Sequence, residues 1–300
     1  MVLAAACFVL NDAVMKTFAG ELLWYEALTW RGPFAIGFSL LMCVLIDGRH
    51  AVASSGRALR NGPALLRIGG EIGSTSFFLV ALFAIPLADV TAITQTLPLL
   101  LTLGGAVVFR EAVGWRRWTA ALVGFAGVLL IVQPGTGAFQ WAAVWALVST
   151  LCMATRDLAT KAVPAAIAST TLNLVTNIAV WLFAAALALP GGLPPIGVWD
   201  AARLLLSALF ITSGFLTIIL AMRVGEASVV APFRYTSLLW ALAIGWALFG
   251  EAPGPWKLLG AAIVAGAGLY TFRRERRSRR NASIARDSAA VSSSSQVRKA

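Results

Sequence analysis

The chain has 300 residues, 59% of them hydrophobic and 12% charged, and a formal net charge of +11. Soluble domains carry about 25% charged residues, so this chain has too little polar surface to coat a soluble globule. Three cysteines without CxxC spacing and a single histidine, His50, give no support to a disulfide framework, a metal site, a Ser-His-Asp triad or a Cys-His pair.

Ten apolar segments follow one another, most of about 18 to 24 residues, enough to cross a hydrocarbon core of roughly 30 Å as helix. The first is predicted from Met1 to about Phe18. It has no basic lead-in and contains Asn11, Asp12 and Lys16, which argues against a signal peptide. The missing lead-in suggests a start codon slightly upstream. The second covers about Trp24–Ile46 and carries Glu26 and Arg31, and the third about Leu65–Ile85 with Glu71 inside. After a turn at Pro86–Asp89 the fourth continues to Phe109, broken by Pro98. The fifth, about Arg117–Val132, stops at Gln133, Pro134 and Gly135. The sixth runs from near Phe139 to about Leu158, the seventh over Ala166–Leu189, the eighth over Ala201–Met222, the ninth over Ser228–Phe249 and the tenth over Pro255–Phe272. Residues 273–300 are rich in arginine and serine and lack apolar periodicity, so they are expected to form a disordered cytoplasmic tail beside anionic lipid rather than a nucleic-acid arm.

Basic residues in short loops mark the cytoplasmic side. They follow the second segment (Arg49, Arg57, Arg60), the fourth (Arg110, Arg116, Arg117), the sixth (Arg156, Lys161) and the eighth (Arg223), whereas the loops after the third and fifth have none. Lys16, Arg203 and Lys257 are the exceptions. The alternation puts both termini in the cytoplasm of a multi-pass inner (plasma) membrane protein.

The chain also repeats itself. Phe109, Glu111, Ala112 and Gly114 match Phe249, Glu251, Ala252 and Gly254 at one constant offset, and Asp12 with Lys16 is echoed by Asp157 with Lys161 at the same i, i+4 spacing. Two halves of five crossings each, residues 1–134 and 139–272, enter the membrane from opposite sides because five is odd. The expected fold is therefore all-α, ten transmembrane helices as two inverted five-helix repeats, with a solute site near the midplane between them.

These features resemble the drug/metabolite transporter superfamily in its EamA branch. The stretch FREAVGWRRWTAALVGFAGVLLIVQPG carries the resemblance, with a looser second copy in FGEAPGPWKLLGAAIVAGAGLY. It covers nearly all of the chain except the tail. The resemblance implies a ten-helix secondary carrier working by alternating access, not an enzyme, and it expects neither cofactor nor metal. The NDAVMK stretch is similar to members that move riboflavin or S-adenosylmethionine, with amino-acid-like compounds as further candidates. Substrate identity, direction, coupling ion and oligomeric state, including a homodimer, stay open.

An ionisable side chain at membrane depth costs about 2.5–3.5 kcal/mol and is a functional candidate by default. Arg31, Glu71, Thr94, Gln95, Arg234 and Tyr235 are the candidate substrate-binding residues, and Asp12 and Glu71 the candidates for a coupling proton. Arg31 and Glu71 could instead form a structural pair across the second and third segments. Trp24, Trp30, Phe77, Phe78 and Trp240 are candidate stacking surfaces for a planar group. A polytopic membrane enzyme would need clustered catalytic groups, and a non-transporting scaffold would have no reason for charge at mid-depth.

Overall fold

A computed structural model describes residues 2–48, 55–108, 115–133, 140–164, 166–224, 236–270 and 273. The chain forms α1 (Val2–Lys16), α2 (Trp24–Asp47), a single turn α3 (Ser55–Ala58), α4 (Gly62–Ala84), α5 (Leu87–Thr94), α6 (Leu97–Val108), α7 (Trp115–Val132), α8 (Trp141–Ala162), α9 (Ser169–Ala188), α10 (Val198–Val224) and α11 (Thr236–Phe249). A last helix, α12, covers residues 255–270. Among the described residues there is no strand, only one isolated bridge between Ala19 and Leu22. Among the described residues, six spans are long and apolar enough to cross a membrane: Trp24–Asp47, Gly62–Ala84, Leu87–Gly105, Trp141–Ala162, Ser169–Ala188 and Val198–Phe215. The protein is a multi-pass, all-helical membrane protein.

The predicted fourth segment begins at Leu87 and is broken at Gln95–Thr96, just ahead of Pro98. Pro98 lacks an N–H and its ring would clash with the carbonyl four residues back, so the chain restarts as α6 with the proline in its first turn, where no amide is missed. The predicted sixth segment extends to Ala162, which brings Lys161 inside α8 together with Arg156 and Asp157.

Pro33 lies inside α2, yet that helix continues through it. The amide missing at Pro33 would have bonded the Thr29 carbonyl. Trp181 of α9 donates its indole N–H to that carbonyl at 3.1 Å. Gly32 makes room, since a Cβ there would lie 2.0 Å from Trp181 Cδ1. One broken backbone bond thus becomes the lock between α2 and α9.

Helix ends sort onto two faces. Lys16 at the end of α1 meets Glu251 after α11, with Nζ and Oε1 2.5 Å apart, and Glu251 accepts the Leu87 amide at 2.7 Å. Arg203 near the start of α10 reaches Thr17 and Glu21 after α1, and Trp30 donates to the Pro194 carbonyl ahead of α10. At the opposite face Thr170 donates to Asp47, while Ala58, Ala64, Ile68, Ile167, Leu172 and Val175 pack together. The chain therefore runs up and down between two faces, and Val2 and Tyr270 lie at the Asp47 end.

The packing partners are specific. α1 packs on α10 and α8 packs on α4, α2 lies against α9, and α5 lies against α11. α1 also meets α11, and α8 meets α5 and α6. α7 and α12 cross backbone to backbone: a Cβ on Gly127 would sit 2.9 Å from the Gly260 carbonyl, and one on Gly260 would sit 2.6 Å from the Gly127 carbonyl. Small residues permit such close approach in a membrane, where lipid is as apolar as leucine and packing is a main force joining helices.

Candidate functional site

Charge inside the bundle gathers where α1, α2 and α10 meet, and again where α4, α8 and α9 meet. Arg31 stands two turns into α2. Its NH1 donates to Asn11 Oδ1 at 3.2 Å, Ser207 of α10 donates to the same oxygen at 2.7 Å, and Asn11 donates its amide to Asp12 Oδ1 at 3.0 Å. Asn11 is only 3% exposed and acts as the hub of three helices. Its carbonyl oxygen accepts twice and its amide donates onward, so no aliphatic residue could replace it without orphaning Arg31.

In the second group, Glu71 of α4 pairs with Arg156 of α8 at 3.0 Å, and Arg156 Nε bonds Asp157 Oδ1 at 2.7 Å. Arg67, one turn before Glu71, donates from NH1 to Thr176 of α9 at 2.6 Å. α4 can come this close because Gly70 and Gly73 face α8, where a Cβ would lie 3.0 Å from Arg156 N and 3.0 Å from Cys152 Sγ respectively. Ser149 of α8 also donates to the Ser74 carbonyl at 2.8 Å.

The two groups are electrically joined. The charge of Glu71 acts on both Arg31 and Arg67, and that of Asp12 acts on Arg31. Asp12, Arg31, Glu71, Arg156 and Asp157 thus form a run of alternating sign that passes between the halves, which lowers the cost of holding charge away from water. The Nε atoms of Arg31 and Arg67 are buried without a partner. Glu71 and Arg156 keep 21% and 20% of their side-chain surface exposed.

Of the residues singled out from sequence, Asp12, Arg31 and Glu71 come together as described. Glu71 forms its ion pair with Arg156 rather than Arg31. Lys16 does not pair with Asp12 on its own helix but with Glu251 from the other half. Thr94 spends its hydroxyl on the Thr91 carbonyl of the same helix, at 2.8 Å. Gln95 sits at the α5–α6 break and donates to Ser237 of α11. Arg234, Tyr235 and the first-half turn Phe109–Gly114 lie outside the described residues. Phe77 is stacked on Trp145, rings parallel to 2° with centroids 5.2 Å apart, and Trp24 meets Tyr25 edge-on, so these rings already have protein partners. A shallow cleft, with room for about one water, lies at the Glu251 face, lined by Ile85, Asp89, Ile93, Gln140 and Lys257 among others, and the charged run is not part of its wall.

Asn11, Ser207, Arg67, Arg156 and Thr176 were not singled out from sequence. Arg156, near the end of the sixth segment, reads from sequence as part of the cytoplasmic charge that marks orientation. The spacing Arg156-Asp157 against Glu71 carried no local signal, since it joins residues far apart in the chain.

Comparison with known proteins adds a second line. Residues 140–272 match the EamA-like transporter family. A riboflavin transporter of Rhizobium johnstonii is 29% identical over 288 residues, covering 93% of this chain and 92% of that one. A riboflavin transporter of Vibrio cholerae is 30% identical, covering 78% and 79%. An S-adenosylmethionine uptake transporter of Rickettsia prowazekii is 23% identical, covering 90% of each. A solved crystal structure aligns with a TM-score of 0.59 and 18% identity over 92% of this chain and 96% of that chain, which speaks to the fold alone.

Proposed function

Because the chain belongs to the EamA-like transporter family, we propose that it is a secondary carrier which takes a planar, nitrogen-rich metabolite across the inner membrane, with riboflavin the first candidate. The family and its relatives are transporters, so the chain is a transporter of a small metabolite and not an enzyme. The finer reading is ten crossings arranged as two inverted repeats, residues 1–134 and 139–272, with both termini cytoplasmic and the solute bound between the halves.

The packing supports the repeat. Exchanging the halves turns the α1–α10 contact into the α8–α4 contact, and α1–α11 into α8 with α5 and α6, while α2–α9 and α5–α11 map onto themselves. The same exchange, by the offset that relates Phe109 to Phe249, turns the approach of Gly124 to Ala267 into that of Gly127 to Val264, and both occur, at 3.5 and 3.0 Å from a built Cβ. An inverted pair of bundles that can rock about their interface is what alternating access needs.

The observation that carries the carrier reading is the run of charge from Asp12 to Asp157. Six ionisable groups, counting Arg67, are held inside an apolar bundle by residues of both halves, and a scaffold would be more stable without them. The run supplies guanidinium donors for carbonyl and imide acceptors on a heteroaromatic ring. Asp12 or Glu71 supplies the exchangeable proton. Arg31, Glu71 and Gln95 contact the solute, joined by Arg234 and Tyr235.

Uptake of radiolabelled riboflavin by a strain that can neither make nor import it tests the reading. Expression of this chain should restore uptake, and Arg31→Ala and Glu71→Gln should abolish it with the protein still in the membrane. S-adenosylmethionine tested in parallel decides between the two named classes. Absence of uptake of both, with protein correctly inserted, would sink the cargo assignment.

A further inference from the structure

We propose that the Lys16–Glu251 ion pair is the extracytoplasmic gate of this carrier, holding its two halves together while the pathway is shut on that side. The transport meaning rests on the carrier reading, but the test below needs no solute.

The pair joins one residue from each half at a single face. Lys16 ends α1, Glu251 follows α11, and their side chains are 11% and 15% exposed. Both also hold the corner between α4 and α5: Lys16 donates to the Ile85 carbonyl at 2.5 Å, and Glu251 accepts the Leu87 amide at 2.7 Å. Four element ends therefore converge on two side chains. Beside them Lys257 of the second half binds Asp89 of the first, which is 6% exposed. Glu251 is aimed by its own backbone. Gly250 has φ +64, a conformation that costs a residue with a Cβ, and the turn it makes lets the Glu251 amide donate back to the Gly245 carbonyl at 3.0 Å.

Charge suits a gate. Closing the face removes two ions from water, and the Coulomb attraction gained is offset by the hydration lost. Closed and open forms then lie near balance, which a carrier must have if it is to cycle. The other half has the same residue types in its repeated positions, Lys161 ending α8 as Lys16 ends α1, and Glu111 matching Glu251, although Glu111 lies outside the described residues.

The test is labelling by a membrane-impermeant maleimide. The reporter is Thr91→Cys, introduced after Cys7, Cys43 and Cys152 are replaced by alanine. Thr91 is 6% exposed and bonds the Leu87 carbonyl one turn beneath the pair. In intact cells the parent should label slowly. Glu251→Lys sets two like charges face to face and should raise the labelling rate by about ten-fold or more, a population shift of the size that losing a buried pair produces. The swap of Lys16→Glu with Glu251→Lys restores opposite charges but not the bonds to the Ile85 carbonyl and the Leu87 amide, so it should bring the rate part of the way back from that of Glu251→Lys. Where Glu251→Lys gives no monodisperse protein, Glu251→Gln keeps the shape, removes the charge and reads the same quantity. No acceleration, acceleration that the swap leaves unreversed, or acceleration confined to the cytoplasmic side in inverted vesicles overturns the proposal. Failure of riboflavin or S-adenosylmethionine uptake leaves these rates untouched, so the two readings fail separately.

Discussion

Asn11 shows how much can rest on one uncharged side chain. It accepts from Arg31 and Ser207 and donates to Asp12, joining three helices through one amide. Asn11→Leu keeps the branched shape but leaves a guanidinium without that acceptor. A buried group stripped of its partner costs about 1–3 kcal/mol, more when charged. The expected outcome is a lower melting temperature in detergent together with loss of uptake. Trp181→Phe should separate the two effects. It orphans the Thr29 carbonyl at the Pro33 gap, costing about 1 kcal/mol, yet touches none of the charged run. Its melting temperature should fall while uptake is retained. At this scale the charged residues of the site were legible and the neutral ones were not. Asp12, Arg31 and Glu71 stand out because apolar helices rarely contain charge. Asn11 and Ser207 do not, because small polar residues commonly join membrane helices without further role.

Element boundaries depended on what breaks a helix. Pro98 pointed to a broken fourth segment, and the break came just upstream at Gln95–Thr96, where the ring can sit in a first turn. Pro33 made no break, because a tryptophan some 150 residues away along the chain satisfies the freed carbonyl. No local reading could supply that partner. The role of Arg156 was hidden for a related reason: Arg156-Asp157 reads as interface charge until Glu71 of α4 is placed beside it. The glycines of the fifth and tenth segments, by contrast, have a plain cause in the α7–α12 crossing. Gly260→Val should be felt strongly there, since a Cβ would already lie 2.6 Å from a carbonyl oxygen that cannot move alone. Overpacking of this kind costs about 1–3 kcal/mol or more. Thermal melts monitored by size exclusion should show that loss, whereas Gly266→Val, with nothing within 4 Å of its Cβ, should not.

For the whole molecule, the repeat in the sequence implied two related bodies, and the question is what holds them in one state rather than another. The face bearing Lys16, Glu251, Asp89 and Lys257 is tied by two ion pairs between the halves, and Glu71 with Arg156 ties them once more inside the bundle. Two pairs at one helix-end face fit a carrier shut on the Glu251 side. They also make a prediction that distinguishes a balanced latch from mere glue. Replacing a buried ion pair by apolar side chains of similar size is often neutral or stabilising, by up to about 4 kcal/mol, because no ion has to give up water. Apolar side chains at Lys16 and Glu251 would orphan the Ile85 carbonyl and the Leu87 amide, so the test falls on the neighbouring pair: the double change Lys257→Met with Asp89→Leu should hold the face shut more firmly than the native pair. The protein should melt at or above the native temperature and label at the Thr91 reporter more slowly from outside. Uptake should nonetheless fall by about ten-fold, since about 1.4 kcal/mol of extra closure removes nine-tenths of the outward-open population. If the pair served only to hold the fold together, a variant at least as stable as the native protein would transport at the native rate.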